Sequence, residues 1–346
     1  MRDDGPAGGR FRYGVLGTGR IATKFANALT SSARCDVVRV GSRTPAKANA
    51  FAAGLAAPPA TGDYDAVLAD DAVDAVYVAL PPSLHREWTE RAAAAGKHVL
   101  CEKPLAPTGD DADAMADACR RHGVRLNDAV MWRHAPRAAL MRDCLDAADF
   151  GPIRRVVSSF TFPGLERFSA DEFRMDRNRG GGALLDLGYY NVALSVWAVG
   201  ETPVRARCDA TFRDGVDVAA TGTLWFAGGA VATFDCGFDA LRRNWFEVAS
   251  DARSLVNDDF ARPWKPDKHR FWTHDTDGNA TQHAAEPADQ IVALAEAFAD
   301  AAAAGRDLPT LAEAVATQRV LDALFRSVAS GRVEDVARTA GARGGS

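Results

Sequence analysis

The sequence lacks paired cysteines: Cys35, Cys101, Cys119, Cys144, Cys208 and Cys236 are scattered over its 346 residues. Zinc knuckles need ligands a few residues apart and disulfide frameworks need dense, matched cysteines, so neither is indicated and no metal site is expected. Reduced thiols in a cytoplasm are the expectation. An excess of cations is missing as well. Lys and Arg together number 41 against 46 for Asp and Glu, a formal net charge of -5, whereas affinity for a phosphate backbone needs a basic surface. A nucleic-acid partner is therefore not expected. Finally, Met1 to Arg10 is a Gly/Asp/Arg stretch followed by no apolar run of signal-peptide or membrane-spanning length, which argues against export and against a membrane partner. Residues 1–10 and 339–346 are expected to be disordered tails.

What is present is an ordinary globular composition, 47% hydrophobic and 25% charged, on a chain long enough to favour two domains. From Phe11 to about Asp128, short β-branched runs alternate with alanine-rich helical patterns, the sign of βαβ units and a doubly wound parallel sheet. Strands are expected at 11–16, 37–41, 75–80, 98–101 and 124–126, with helices starting near Arg20, Pro45, Leu84 and Thr108. After about residue 150 the texture changes to longer alternating segments, 153–162, 204–212, 218–226 and 230–238, which read as antiparallel strands with one solvated face. The expected architecture is an α/β Rossmann domain over 11–128 and an α+β domain over 129–338 with a large, mostly antiparallel, open-faced sheet. A helix after Gly180–Gly182 and two alanine-rich helices near 287–304 and 311–330 complete the second domain.

The first βα turn carries a cofactor signature. Tyr13-Gly14-Val15-Leu16-Gly17-Thr18-Gly19-Arg20-Ile21-Ala22 is an apolar strand running through G-x-G-x-x-A into a helix. Gly17 permits the tight turn, Gly19 permits close approach of a pyrophosphate to the helix N-terminus, and Ala22 permits close helix–strand packing. Gly17, Thr18, Gly19, Arg20 and Ile21 are the candidate cofactor residues of this turn. Dinucleotide folds that prefer NAD place a carboxylate at the end of the second strand. Here that place is Gly41-Ser42-Arg43-Thr44. A guanidinium beside a hydroxyl holds a 2′-phosphate where a carboxylate repels it, so Ser42 and Arg43 point to NADP(H).

Two further stretches carry a family resemblance. Val76-Tyr77-Val78-Ala79-Leu80-Pro81-Pro82-Ser83-Leu84-His85 is followed by Ala95-Gly96-Lys97-His98-Val99-Leu100-Cys101-Glu102-Lys103-Pro104, and Gly180-Gly181-Gly182-Ala183-Leu184-Leu185-Asp186-Leu187-Gly188-Tyr189-Tyr190 comes later. Together these resemble the glucose-fructose oxidoreductase, inositol dehydrogenase and MocA family over nearly the whole chain. With Tyr rather than His four residues after Asp186, the chain is similar to the branch holding dimeric dihydrodiol dehydrogenase and the ketosugar reductases. The resemblance implies hydride transfer between NADPH and a carbonyl or hydroxyl carbon of a sugar, ketosugar or cyclic diol. Tyr190 would be the proton donor, Lys103 its electrostatic assistant, and Asp186 a supporting residue on the same helical face. It also implies that Leu80, Pro81, His85, Glu102, Lys103 and Arg133 contact the cofactor, that the bond before Pro104 is cis, and that the protein is a homo-oligomer, a dimer or tetramer, through the exposed face of the second sheet.

The chemistry is consistent. A free tyrosine titrates near ~10, and a neighbouring ammonium favours the phenolate and eases proton exchange. Taken singly, Lys103 also reads as a strand-end surface lysine, Tyr190 as a core aromatic, His85 as a helix-start residue serving the backbone, and Arg43 as a solvated charge. Substrate choice is expected in second-domain loops such as residues 162–179 and 257–274, where Phe168, Trp264 and Trp272 line a pocket or pack, and where Arg179 meets an anionic group or solvent. Two other functions remain open at this stage: a non-catalytic dinucleotide sensor, and an NAD-dependent redox-cycling glycosidase of the same fold.

Overall fold

The apolar run β1 (Phe11–Leu16) is buried along nearly all its length and enters α1 (Arg20–Leu29) through the Gly17–Gly19 turn. The computed structural model describes residues 9–169, 171–261 and 268–337. The expected tails, save Gly9 and Arg10, and Trp264 lie outside the described residues. The chain divides into two units. One takes residues up to Ala106, Asp111–Ala135 and Ala288–Leu311; the other takes Pro107–Asp110, Pro136–Pro287 and residues from Ala312 on.

In the first unit the sequence continues through β2 (Cys35–Gly41), α2 (Pro45–Ala53), β3 (Ala60–Gly62), α3 (Tyr64–Leu68), β4 (Ala75–Val78), α4 (His85–Ala94), β5 (His98–Cys101), α5 (Gly109–Arg121) and β6 (Leu126–Asp128). The strands form a six-stranded parallel sheet in the order β3-β2-β1-β4-β5-β6. Strand order reverses between β1 and β4, so the turns after these two strands lie side by side at the place where doubly wound sheets bind ligands. The short β3 and α3 have no counterpart among the expected elements, because three and five residues are too few to show a period. Strand β4 stops at Val78, ahead of the expected 80, since the prolines that follow cannot donate to a ladder.

The core of this unit holds Tyr13, Phe25, Tyr77 and Leu100 together with Ile291, Leu294 and Phe298. Phe25 stacks on Tyr77 with ring centroids 3.9 Å apart, and the Tyr13 hydroxyl donates to the Ala295 carbonyl at 2.7 Å. The last three apolar residues come from α8 (Gln290–Ala303), which packs on this sheet. The division expected at 128/129 therefore differs from the structure, where residues 288–311 return to the first unit. The apolar stripe of α8 was legible; the sheet it covers was not.

The second unit contains α6 (Pro136–Asp146), β7 (Arg155–Thr161), α7 (Tyr189–Val199), β8 (Arg205–Arg213), β9 (Val216–Trp225), β10 (Val231–Gly237), β11 (Arg243–Ala249), β12 (Ser254–Asn257), β13 (Arg270–His274), β14 (Ala280–Ala284), α9 (Thr310–Ser330) and β15 (Glu334–Asp335). Its nine strands run in the order β14-β13-β12-β11-β7-β10-β9-β8-β15, antiparallel except for the β7–β10 pair. Alternation is visible in the burial of β11 and β13, where every second residue is buried. Helix α7 is buried on nearly every side, with Val192 and Leu194 fully sealed, each stabilising the fold by about 1.5–3 kcal/mol. Its Asn191 donates to Ser158 Oγ of β7 at 2.9 Å, a tie between helix and sheet.

Candidate active site

The turn after β1 shows two glycines with different reasons to be glycine. Gly17 sits at φ +108°, and a Cβ there would lie 2.5 Å from the Ala79 carbonyl oxygen. That close approach is fixed by hydrogen bonds from Ala79 N to Leu16 O (2.9 Å) and from Gly17 N to Gly41 O (3.0 Å). Gly19 is exposed, has φ -80° and ψ 175°, and a Cβ there would meet no atom within 4 Å. Packing within the protein thus accounts for Gly17 and leaves Gly19 unexplained. As the first residue before α1, Gly19 provides no side-chain cap, and the first turn of the helix contains no acidic residue. An open, uncapped helix N-terminus suits an anion.

Thr18 is half-buried, Arg20 exposed, and Ile21 packs on the core. At the end of β2, Ser42 is buried with its N–H donating to Gly62 O at 3.1 Å, while Arg43 is exposed. Thr44 then caps α2 by accepting from Lys47 N.

The turns after β4 and β5 form a second cluster. Leu80 and Pro81 are half-buried. The Lys103–Pro104 bond is cis, Lys103 is half-buried, and Glu102 is buried. Glu102 Oε1 accepts from the Tyr77 hydroxyl and Oε2 accepts from Lys103 N at 3.1 Å, which fixes the carboxylate. His85 is fully buried, with Nδ1 at 2.9 Å from Pro104 O and 3.3 Å from Leu105 O, and Nε2 at 2.9 Å from Leu80 O. Both ring nitrogens face main-chain carbonyls, so His85 has none to offer a cofactor directly. Burial, aided by the Lys103 charge, lowers its pKa. Arg133 lies on a short turn, its guanidinium 5.5 Å from the Trp132 ring centroid.

In the second unit, Asp186 and Tyr190 straddle a change of helix type. Leu184–Gly188 is a π-helical turn that runs directly into α7, a rare conformation found disproportionately at functional sites. The turn opens at Gly182, at φ +115°, where a Cβ would overlap Asp217 Oδ1. Asp217, from β9, caps the turn by accepting from Leu184 N at 2.7 Å, and burial raises its pKa from 3.8 to about 6. Asp186 accepts from Arg174 Nε at 2.8 Å, and the same guanidinium donates to Glu172 at 2.9 Å. Tyr190 is 6% exposed and meets Phe160 edge-on, with centroids 5.3 Å apart, whereas Tyr189 is sealed at 0%.

Arg174, Asp217 and Tyr77, which bond Asp186, the backbone at Leu184 and Glu102, were not among the expected site residues. Tyr77 left a physical signal, since a tyrosine inside an apolar central strand needs a partner for its hydroxyl, and Arg174 lies in Phe173-Arg174-Met175-Asp176, which resembles the family stretch before the glycine-rich helix. The residues expected to choose the substrate are largely packed. Phe168 joins Phe162 and Phe238 in a cluster of edge-to-face rings. Trp272 lies in β13 rather than in a loop, 4.9 Å from the Arg270 guanidinium. Arg179 donates to the Asp171 carbonyl at 3.0 Å.

Residues 11–129 match the oxidoreductase family with an NAD-binding Rossmann fold (GFO/IDH/MocA), and residues 138–256 match the GFO/IDH/MocA C-terminal domain. The chain is 36% identical to a D-xylose 1-dehydrogenase (NADP(+)) of Haloferax volcanii, over 85% of this chain and 89% of that one. It is 35% identical to a dTDP-3,4-didehydro-2,6-dideoxy-alpha-D-glucose 3-reductase of Streptomyces violaceoruber, covering 84% of each. Among solved structures, a 3-ketoreductase from Actinomadura kijaniata in complex with NADP and TDP-benzene superposes with a TM-score of 0.83 at 30% identity, covering 92% of this chain and 98% of that one. Among the described residues, no helix is long and apolar enough to cross a membrane. With both halves matched and such relatives spanning most of its length, the chain belongs to the GFO/IDH/MocA oxidoreductase family.

Proposed function

We propose that the protein is an NADP(H)-dependent oxidoreductase that interconverts a carbonyl and a hydroxyl on a sugar or ketosugar. One observation carries the reading: a chain similar over 85% of its length to an NADP(+)-using sugar dehydrogenase places an exposed Arg43, not a carboxylate, at the end of β2. The open Gly19 turn suits the cofactor's pyrophosphate, because among the described residues no atom occupies the space a side chain would take. Gly17, Thr18, Gly19, Arg20 and Ile21 would hold the pyrophosphate, Ser42 and Arg43 the 2′-phosphate, and Leu80, Pro81, Glu102 and Arg133 the nicotinamide half.

NADPH supplies the hydride when bound. The rest of the chemistry belongs to the protein. Tyr190 gives its hydroxyl proton to the oxygen that gains charge, and the Lys103 ammonium favours the phenolate left behind. Asp186, held by Arg174, orients substrate hydroxyls. The open face of the second sheet, where Val157 of the interior strand β7 is 37% exposed, is the surface for a homo-oligomer.

Fluorescence titration with NADPH and NADH, on wild type and on Arg43→Ala, tests the cofactor. Loss of a charge-assisted contact of about 1.5–3 kcal/mol weakens NADPH by about tenfold to a hundredfold and leaves NADH nearly unchanged. Binding of neither nucleotide would sink the oxidoreductase reading. Tyr190→Phe tests catalysis: kcat on a ketosugar panel is expected to fall by about 10²–10⁴ with NADPH affinity retained. A variant that turns over like wild type would remove Tyr190 from the mechanism.

A further inference from the structure

His85 is not explained by the usual role of a residue at a helix start. The residue before α4, Leu84, makes no side-chain cap, and the His85 ring faces carbonyl oxygens rather than the N–H groups a helix start leaves open. The carbonyls belong to two turns, each at the end of a strand: Leu80 after β4, and Pro104 with Leu105 after β5. Pro104 directly follows Lys103. We propose that His85 is a positioning residue, a clasp that holds the Lys103–Pro104 turn in place for the reaction through a hydrogen bond from Nδ1. This rests on the catalytic reading of Lys103 given above.

Hydrogen-bond arithmetic says which side of the ring does the holding. A neutral imidazole has one N–H and one lone pair. With the proton on Nδ1, the ring donates to Pro104 O at 2.9 Å, with Leu105 O at 3.3 Å sharing the same proton, and the Nε2 lone pair faces one carbonyl. With the proton on Nε2, the Nδ1 lone pair would face two carbonyls. The first arrangement has fewer repulsive contacts, so the bond runs to the turn that carries Lys103. A second proton would satisfy all three carbonyls, but complete burial and the nearby Lys103 cation both oppose it.

Amide substitutions separate the two nitrogens. In His85→Asn the side-chain N–H₂ lies near the position of Nδ1; in His85→Gln it lies near that of Nε2. Steady-state kinetics with NADPH titrations and melting curves, on these two variants, His85→Leu and Lys103→Met, form the test. The expected result is that His85→Asn keeps kcat within about threefold of wild type, while His85→Gln and His85→Leu lose between about tenfold and a hundredfold in kcat at unchanged NADPH affinity. Equal activity of the Asn and Gln variants, or losses that track melting temperature alone, overturns the proposal. NMR of isotope-labelled histidine in the wild-type enzyme needs no variant: a ring protonated on Nδ1 is expected, and one protonated only on Nε2 refutes it. Wild-type kcat in Lys103→Met would instead overturn the catalytic reading of that lysine, so the two failures are distinguishable.

Discussion

Replacing Gly17 and Gly19 separately by alanine should separate a glycine required by the fold from one required by a ligand. At Gly17, a non-glycine residue at φ +108° carries strain of about 1–3 kcal/mol. The added methyl would also stand 2.5 Å from the Ala79 carbonyl, a main-chain atom held by its own hydrogen bonds, which adds about 1–3 kcal/mol of overpacking. A total near ~4 kcal/mol lowers the melting temperature of the first unit by about 10 °C. At Gly19, φ -80° and ψ 175° are open to any L-residue, and the methyl meets nothing within 4 Å. The reduced freedom of the unfolded chain then gives a stability change between zero and a gain of about 1 kcal/mol. The same methyl stands where, on the proposed function, a pyrophosphate would approach the helix N-terminus, and NADPH affinity should fall at least about tenfold. Differential scanning fluorimetry without nucleotide, followed by NADPH titration, reads both effects. If Gly19→Ala melts as low as Gly17→Ala, or binds NADPH as wild type does, the reasoning about this turn is wrong.

Asp217 should make its own contribution to the pH dependence of stability. Its folded pKa, raised by burial from 3.8 to about 6, exceeds the unfolded value, so its contribution is complete below about pH 4 and is lost as pH rises through about 6, by at most about 3 kcal/mol. Urea midpoints of wild type minus those of Asp217→Asn should therefore decline from pH 4 to 7 and then level; a difference that is flat or rises with pH contradicts the raised value. Arg174→Gln removes the cation shared by Asp186 and Glu172, a part-buried arrangement whose loss should lower stability by on the order of 2 kcal/mol, with Arg174→Lys recovering some of it. Circular-dichroism melts of the two variants check this, and equal melting of Gln, Lys and wild type would show that the bridge contributes nothing.

The parts of the site readable from the residues alone were those whose chemistry is local. The Gly17–Gly19 turn follows from backbone freedom at successive positions, and the absence of a carboxylate near Arg43 is a property of four adjacent residues. The Asp186–Tyr190 spacing predicts a shared face on an α-helix, and the π-helical turn over Leu184–Gly188 is what that spacing did not reveal. His85 shows the limit. A histidine at the head of a helix was visible, but the identity of its partners depended on where the chain doubled back, and those partners are carbonyls that carry no side-chain signal.

By itself, the sequence determined the parallel α/β organisation of the first unit, the β-rich character of the second, the glycine-rich turn between β1 and α1, and the family to which the chain belongs. Each follows from periodicity or from residues a few positions apart. Only the tertiary structure decided that α8 covers the first sheet, that Arg174 is shared between two carboxylates, and that Asp217, from a strand beginning well after α7, caps the turn leading to Tyr190. An amphipathic stripe states that a face must be covered and a buried charge states that it needs a partner. Neither names the partner, because that choice is made by long-range packing across dozens of residues, where local sequence carries no record of distance.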